Sequence, residues 1–198
     1  MNIINPKDAM IQSLHDACGF NAYKKTLDLS KNIATDVDFQ KNFTNYYRVR
    51  RDVDWLQEFY NFFEKNKNNK TITFEEILRH LSNIEHKVKR TPNNPTGKAK
   101  TVEASFASKM LATINPDHCI WDSQVLRFLD IELDYLLSHD DKINECIAIY
   151  YQIETEVTDF IQTKEGKECI AMFDKTFPSC VNFSEYKKID FYLWNLGK

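Results

Sequence analysis

Asp122 is the residue around which chemistry gathers in this sequence. It follows a turn through Asn115 and Pro116 and precedes the run SQVLRFL, where a helix N-cap belongs. Lys98, Lys100, Glu103, Ser105, Ser108, Lys109, Trp121, Ser123 and Arg127 all lie close to it along the chain. A carboxylate in that place accepts free backbone amides of the first helical turn and suits the positive end of the helix dipole. A fixed carboxylate can also stabilise positive charge that develops on a bound molecule. Asp122 is therefore cap, catalyst or both. Other combinations offer less. His118–Cys119 is an isolated pair of metal-ligand types with no second pair at zinc spacing, so no metal is expected. The chain has no phosphate-binding glycine loop, no dinucleotide fingerprint and no Gly-x-Ser-x-Gly elbow, and no cofactor is expected either. Glu75–Glu76 and the pair Glu154 and Glu156 read as solvated helix faces.

The elements that must hold these residues read as helices. Val102, Phe106, Met110 and Ile114 recur every four residues as an apolar stripe. Ala104, Ser105, Ala107 and Ser108 leave the rest of that helix shallow, open to close approach by something bulky. Pro116 stops it, because proline has no amide hydrogen and disfavours the helical conformation at the residue before it. Asn5–Pro6 starts a first helix that Gly19 is expected to end. Helices over 36–47 and 52–65 follow, crowded with aromatic residues that read as core. Thr73 and Glu76 have the spacing of a capping box, and the helix they open is expected to run through Ile77, Leu81, Ile84 and Val88. The stretch RTPNNPTGKAKT is too rich in turn formers to be helical. A long helix over 140–162 and shorter ones over 165–176 and 184–195 complete the chain, the last packing Phe191, Leu193 and Trp194 inward. With only four glycines and five prolines in 198 residues, the fold class is all-α. We expect a single globular multi-helix domain over 1–198, with lobes at 1–90 and 91–198 flanking the central helix pair as the alternative division.

Composition narrows the partners. No stretch approaches the ~20 apolar residues of a membrane span, and the N-terminus lacks a secretion signal, so a soluble, cytoplasmic protein with no membrane partner is expected. The five cysteines form no Cys-x-x-Cys pair and read as reduced, mostly buried thiols. A net charge of -3 argues against coating nucleic acid by bulk electrostatics. The charges are segregated, however: residues 86–102 carry five Lys and Arg and no acid, a basic belt that leads into the central helix. The stretch YYRVRRDVDW interleaves aromatics with arginines, as nucleic-acid surfaces do. Asp52 and Asp54 lie near enough in sequence to neutralise two of the three arginines, which favours a salt-bridged helix junction over a nucleic-acid contact.

A turn-rich basic hairpin, a helix of small residues, a proline turn and the segment IWDSQVLRFL together resemble the core of the helix-hairpin-helix DNA glycosylase superfamily, over about Pro95 to Leu129. The resemblance puts Asp122 at the family's catalytic aspartate. There it would stabilise the oxocarbenium-like charge at the sugar as the bond to an extruded base breaks. It implies DNA as partner. Gly97, Lys98 and Lys100 would sit in the hairpin that grips phosphates, Lys109 and Arg127 would add DNA contacts, and Trp121 and Ser105 would line a base pocket. Trp121 also reads as a core anchor. The family's hairpin usually carries Gly-x-Gly, whereas this chain has Gly97 alone. The place of the lysine nucleophile of lyase-competent members falls near Glu103, so that role is not carried onto Lys109. The resemblance thus implies a monofunctional glycosylase. The alternative is a non-catalytic helical module that binds nucleic acid or another protein. Oligomeric state is left open.

Overall fold

The computed structural model describes residues 17–196 apart from Ser30, Asn93 and Tyr135. Among these residues the chain forms nine α-helices, a short 3-10 turn and one two-stranded hairpin, and none of the helices is long and apolar enough to cross a membrane.

Helix α1 spans Ala17–Leu27. The proposed start at Asn5–Pro6 lies outside the described residues, and Gly19 does not end the helix but lies within it. A glycine inside a helix costs about 1 kcal/mol relative to alanine. Here Phe20 and Tyr23, both buried, hold the segment against the core. Helices α2 (Val37–Tyr47) and α3 (Val53–Asn66) begin where Asp36 and Asp52 accept the amides of Phe39 and Trp55 at 2.9 and 3.1 Å. Phe39, Phe43 and Tyr47 on α2, and Trp55, Phe59 and Phe63 on α3, recur every four residues and are buried. They mesh mostly at tilted and edge-to-face angles, and the Trp55 and Phe59 rings continue onto Phe106 at 4.6 and 5.4 Å. Each such ring contributes about 1.5–3 kcal/mol of burial.

The capping box of Thr73 and Glu76 is formed in full and opens α4 (Phe74–Leu81). This helix ends at Leu81 and does not run through Ile84 and Val88. Strand β1 (Glu85–Lys87) follows and pairs antiparallel with β2 (Lys98–Lys100), Glu85 facing Lys100 and Lys87 facing Lys98. The four-residue spacing of Ile84 and Val88 fits a period of two as well as 3.6. From Ile84 to Lys89 burial alternates residue by residue, which is the strand pattern. The turn-forming stretch closes the hairpin through Gly97, whose φ of 65° is left-handed. A Cβ there would lie 2.7 Å from Arg90 Cγ.

Helix α5 (Ala104–Ile114) runs through the middle. It has no open shallow side, since all its residues except Ser105 are buried, and the small side chains let α4 and α1 pack closely on it. It ends at Asn115, extended before Pro116. Helix α6 (Ser123–Phe128) is capped by Asp122. Helix α7 (His139–Gln162) passes to α8 (Lys164–Thr176) through Thr163 alone. A Cβ at Gly166 would lie 2.0 Å from the Phe160 carbonyl oxygen, so only glycine permits this corner. Helix α9 (Glu185–Leu196) packs on α6, α7 and α8. It buries Leu193 as expected, together with two lysines that periodicity did not single out. Lys187 pairs with Asp190 inside a cage of Tyr23, Tyr46 and Phe191, and Lys188 pairs with Asp174 at 2.7 Å. Cys119, Cys146, Cys169 and Cys180 are buried free thiols.

Candidate functional site

The junction between α2 and α3 builds one wall of the site. Arg48 leaves α2 in the left-handed region at φ 51°, and the amides of Arg48 and Val49 both return to the Thr44 carbonyl. Val49 is buried, and this single anchor turns its neighbours Arg48 and Arg50 outward into solvent. Arg51 turns back. Its Nε and Nη2 donate to Glu103 Oε1 at 2.9 and 2.5 Å, and its guanidinium lies 5.9 and 5.8 Å from the rings of Trp55 and Phe106. Asp52 and Asp54 do not neutralise these arginines. Asp52 caps α3 and accepts the Lys87 amide at 3.0 Å, while Asp54 pairs with Lys87 Nζ at 2.5 Å. Arg48 and Arg50 consequently have no carboxylate partner among the described residues.

Between this junction and α5 lies a groove of about 540 Å³, within the usual range of ligand sites. Arg48, Arg50 and Arg51 form one rim. Val102, Phe106, Trp121 and Leu133 supply apolar wall, and Lys142, Glu145 and Cys146 close the far side from α7. Lys109 lines the groove from α5 and is only 6% exposed. Its Nζ donates to Ser105 Oγ at 2.7 Å and to the Tyr47 carbonyl at 3.2 Å, with no carboxylate in contact. Burial holds its pKa below the ordinary lysine value, and the negative charge of Asp122 opposes that shift. Glu103 is buried too. Desolvation raises its carboxyl above the usual range in spite of Arg51. Glu145 accepts the Asp134 amide on Oε1, while its buried Oε2 has no hydrogen-bond partner.

Of the residues singled out by sequence, Glu103, Ser105, Lys109 and Trp121 come together as lining of this groove. Trp121 is at the same time a buried anchor, its amide donating to Ser108 Oγ at 2.9 Å. Asp122 is the next residue, half-buried beside the groove and not part of its lining. Its Oδ1 accepts the Gln124 amide at 2.9 Å, as a cap does, and Oδ2 carries no hydrogen bond among the described residues. Lys98, Lys100 and Gly97 lie apart on the hairpin. Lys98 pairs with Glu85, Lys100 donates to Asn83, and the Gly97 amide is occupied by Asn94. Arg127 bonds Gln124 on the exposed side of α6. His118 and Cys119 do not act as a ligand pair: His118 Nδ1 meets Glu154 Oε1 at 2.7 Å, and Cys119 is buried. Among the described residues no three His, Cys, Asp or Glu side chains converge on a metal position.

Compared with protein-family models, curated proteins and solved structures, the chain has no significant match in any of the three. The chemistry of the site therefore rests on its own geometry. Cationic groups on the rim and within the groove, beside an apolar wall with two aromatic rings, suit a ligand that joins an anionic group to a flat, weakly polar one. The arginine rim, Lys142 and Glu145 were missed as site residues because they come from segments distant in sequence. The aromatic and arginine interleaving of YYRVRRDVDW was the signal that could have found the rim.

Proposed function

We propose that the protein is DNA-glycosylase-like: it binds DNA along the arginine rim and hydrolyses the N-glycosidic bond of a base turned out of the duplex. The observation that carries this reading is the groove itself, which joins Lys109, Ser105 and Trp121 to three arginines with Asp122 alongside. A base extruded from its stack needs a pocket with aromatic or apolar walls, and its flanking phosphates need cations. In the reaction the bond between sugar and base breaks with its electron pair going to the base, water attacks the sugar carbon, and the proton that water loses passes to the departing base. Positive charge develops on the sugar between these events. The Oδ2 of Asp122, which carries no hydrogen bond among the described residues, is the group proposed to stabilise it, while Oδ1 remains engaged at the helix start.

A panel of duplexes with alkylated, deaminated or oxidised bases, followed by alkaline cleavage at abasic sites, tests this directly. Wild type should release base from at least one duplex. Asp122→Asn should fold normally and lose release, because asparagine also accepts the capping bond and lacks the charge. The second reading is a non-catalytic nucleic-acid-binding module. It is favoured by the fact that Asp122 lies outside the groove lining and already serves as a cap. No release from any duplex, with Asp122→Asn altering only thermal stability, selects that reading.

A further inference from the structure

The Arg48–Arg51 segment is a ridge with a concavity on each side. One is the groove described above. The other, of about 330 Å³, is lined by Thr44, Asn45, Val49, Leu56 and the three arginines, with no acidic side chain in its wall. We propose that this smaller concavity is a phosphate site for a nucleic-acid strand, taking the phosphodiester next to the nucleotide held in the larger groove.

Three features support a phosphate. Three arginines line the concavity, and the guanidinium groups of Arg48 and Arg50 present planar forks of donors matched to phosphate oxygens. Arg51 is spent on Glu103 and on the Arg50 carbonyl, so it forms a fixed wall of the site and leaves the phosphate to its two neighbours. Arg48 and Arg50 are exposed, free of carboxylate partners among the described residues, and held a fixed distance apart in the chain by buried Val49. The source is fixed by what lies across the ridge. A strand places a phosphate on either side of each base, and the same arginines line both concavities, one of which has Trp121 and Phe106 in its wall. The hairpin lysines are worse placed for this task, since Lys98 is neutralised by Glu85 and the Gly97 amide is used within its own turn. The assignment rests on the nucleic-acid part of the proposed function and is independent of base release.

The test uses the full chain and a fluorescein-labelled single-stranded oligonucleotide, read by anisotropy over a salt series. Arg48→Asn keeps the left-handed turn, which asparagine tolerates, and is combined with Arg50→Gln. The double variant should bind about tenfold or more weakly. It should also flatten the slope of log K against log salt by about 0.7, the contribution of one phosphate neutralised on a single strand. Lys98→Gln with Lys100→Gln should weaken binding less than about threefold, because one of those charges is already paired. Amide shifts of Thr44 to Arg51 should saturate with a dinucleoside monophosphate, which carries a single phosphodiester, at lower concentration than with inorganic phosphate. Equal affinity and slope for the arginine variant and wild type would overturn the proposal. Saturation by inorganic phosphate with no response to the oligonucleotide would assign the site to free phosphate, and displacement of the oligonucleotide by a poly-glutamate peptide at equal charge would assign it to acidic protein; either result overturns the strand. Loss of base release in every assay, with the arginine effects intact, defeats the glycosylase reading alone.

Discussion

Arg51→Met should be the most informative stability variant in the molecule. Glu103 is 4% exposed and Arg51 28%, and two hydrogen bonds from the guanidinium converge on one carboxylate oxygen. Removing one partner of a buried pair leaves an uncompensated charge and typically costs about 3–5 kcal/mol. Arg51 keeps some solvent, so the lower end of that range, about 3 kcal/mol near neutral pH, is the expected loss. The pH dependence gives the sharper test. The Glu103 carboxyl is already raised by burial, and losing Arg51 raises it further. A carboxyl raised in the folded state binds its proton more tightly there than in the unfolded chain. The native state therefore loses stability as pH climbs from the unfolded value of about 4.3 through the raised one, and the loss persists above it. The cost of Arg51→Met should accordingly be full at about pH 7.5 and much smaller at about pH 4.5, where the variant's Glu103 is protonated.

Urea unfolding followed by tryptophan fluorescence at both pH values measures this, with ΔG extrapolated linearly. Glu103→Gln added to Arg51→Met should recover most of the loss at the higher pH, because a neutral amide replaces the stranded charge. A cost below about 1 kcal/mol, or one that is the same at both pH values, would refute the reasoning and make the pair an ordinary surface contact.

Two further perturbations probe the site's supports. Lys109→Met should remove an alkaline gain in stability: with the folded lysine depressed by burial, the wild-type native state grows more stable as pH rises through that depressed value toward about 10.4, so urea midpoints at about pH 8 and about pH 10 should diverge in wild type and converge in the variant. Gly97→Ala forces a Cβ into a left-handed turn against Arg90 and should cost more than about 1 kcal/mol. Its effect should be confined to the hairpin, seen as faster proteolysis within 88–97 with the helical circular dichroism retained.

What sequence made legible here was local, and what it hid was the choice among partners. Asp36, Asp52, Thr73 with Glu76, and Asp122 were recognisable as helix starts because a cap is decided by residues two or three positions away. The strand at Glu85–Lys87 was not, since residues four apart satisfy either period and the partner that decides between them, Lys98–Lys100, is supplied by a turn further along. The arginine cluster shows the same division more sharply. Proximity in sequence assigned Asp52 and Asp54 to it, yet a residue that caps a helix has its carboxylate turned to the helix start and is thereby removed from the pool of counter-ions. Arg51 found its partner 52 residues away, and Arg48 and Arg50, beside the groove, have no carboxylate partner among the described residues. Asp52 is the first residue of the helix read over 52–65, the place where a cap belongs. Counting an aspartate at a helix start as spent before matching charges would have removed Asp52 from the counter-ions of these arginines, whereas the withdrawal of Asp54 by Lys87 depends on the hairpin's place in the fold and was not legible in sequence.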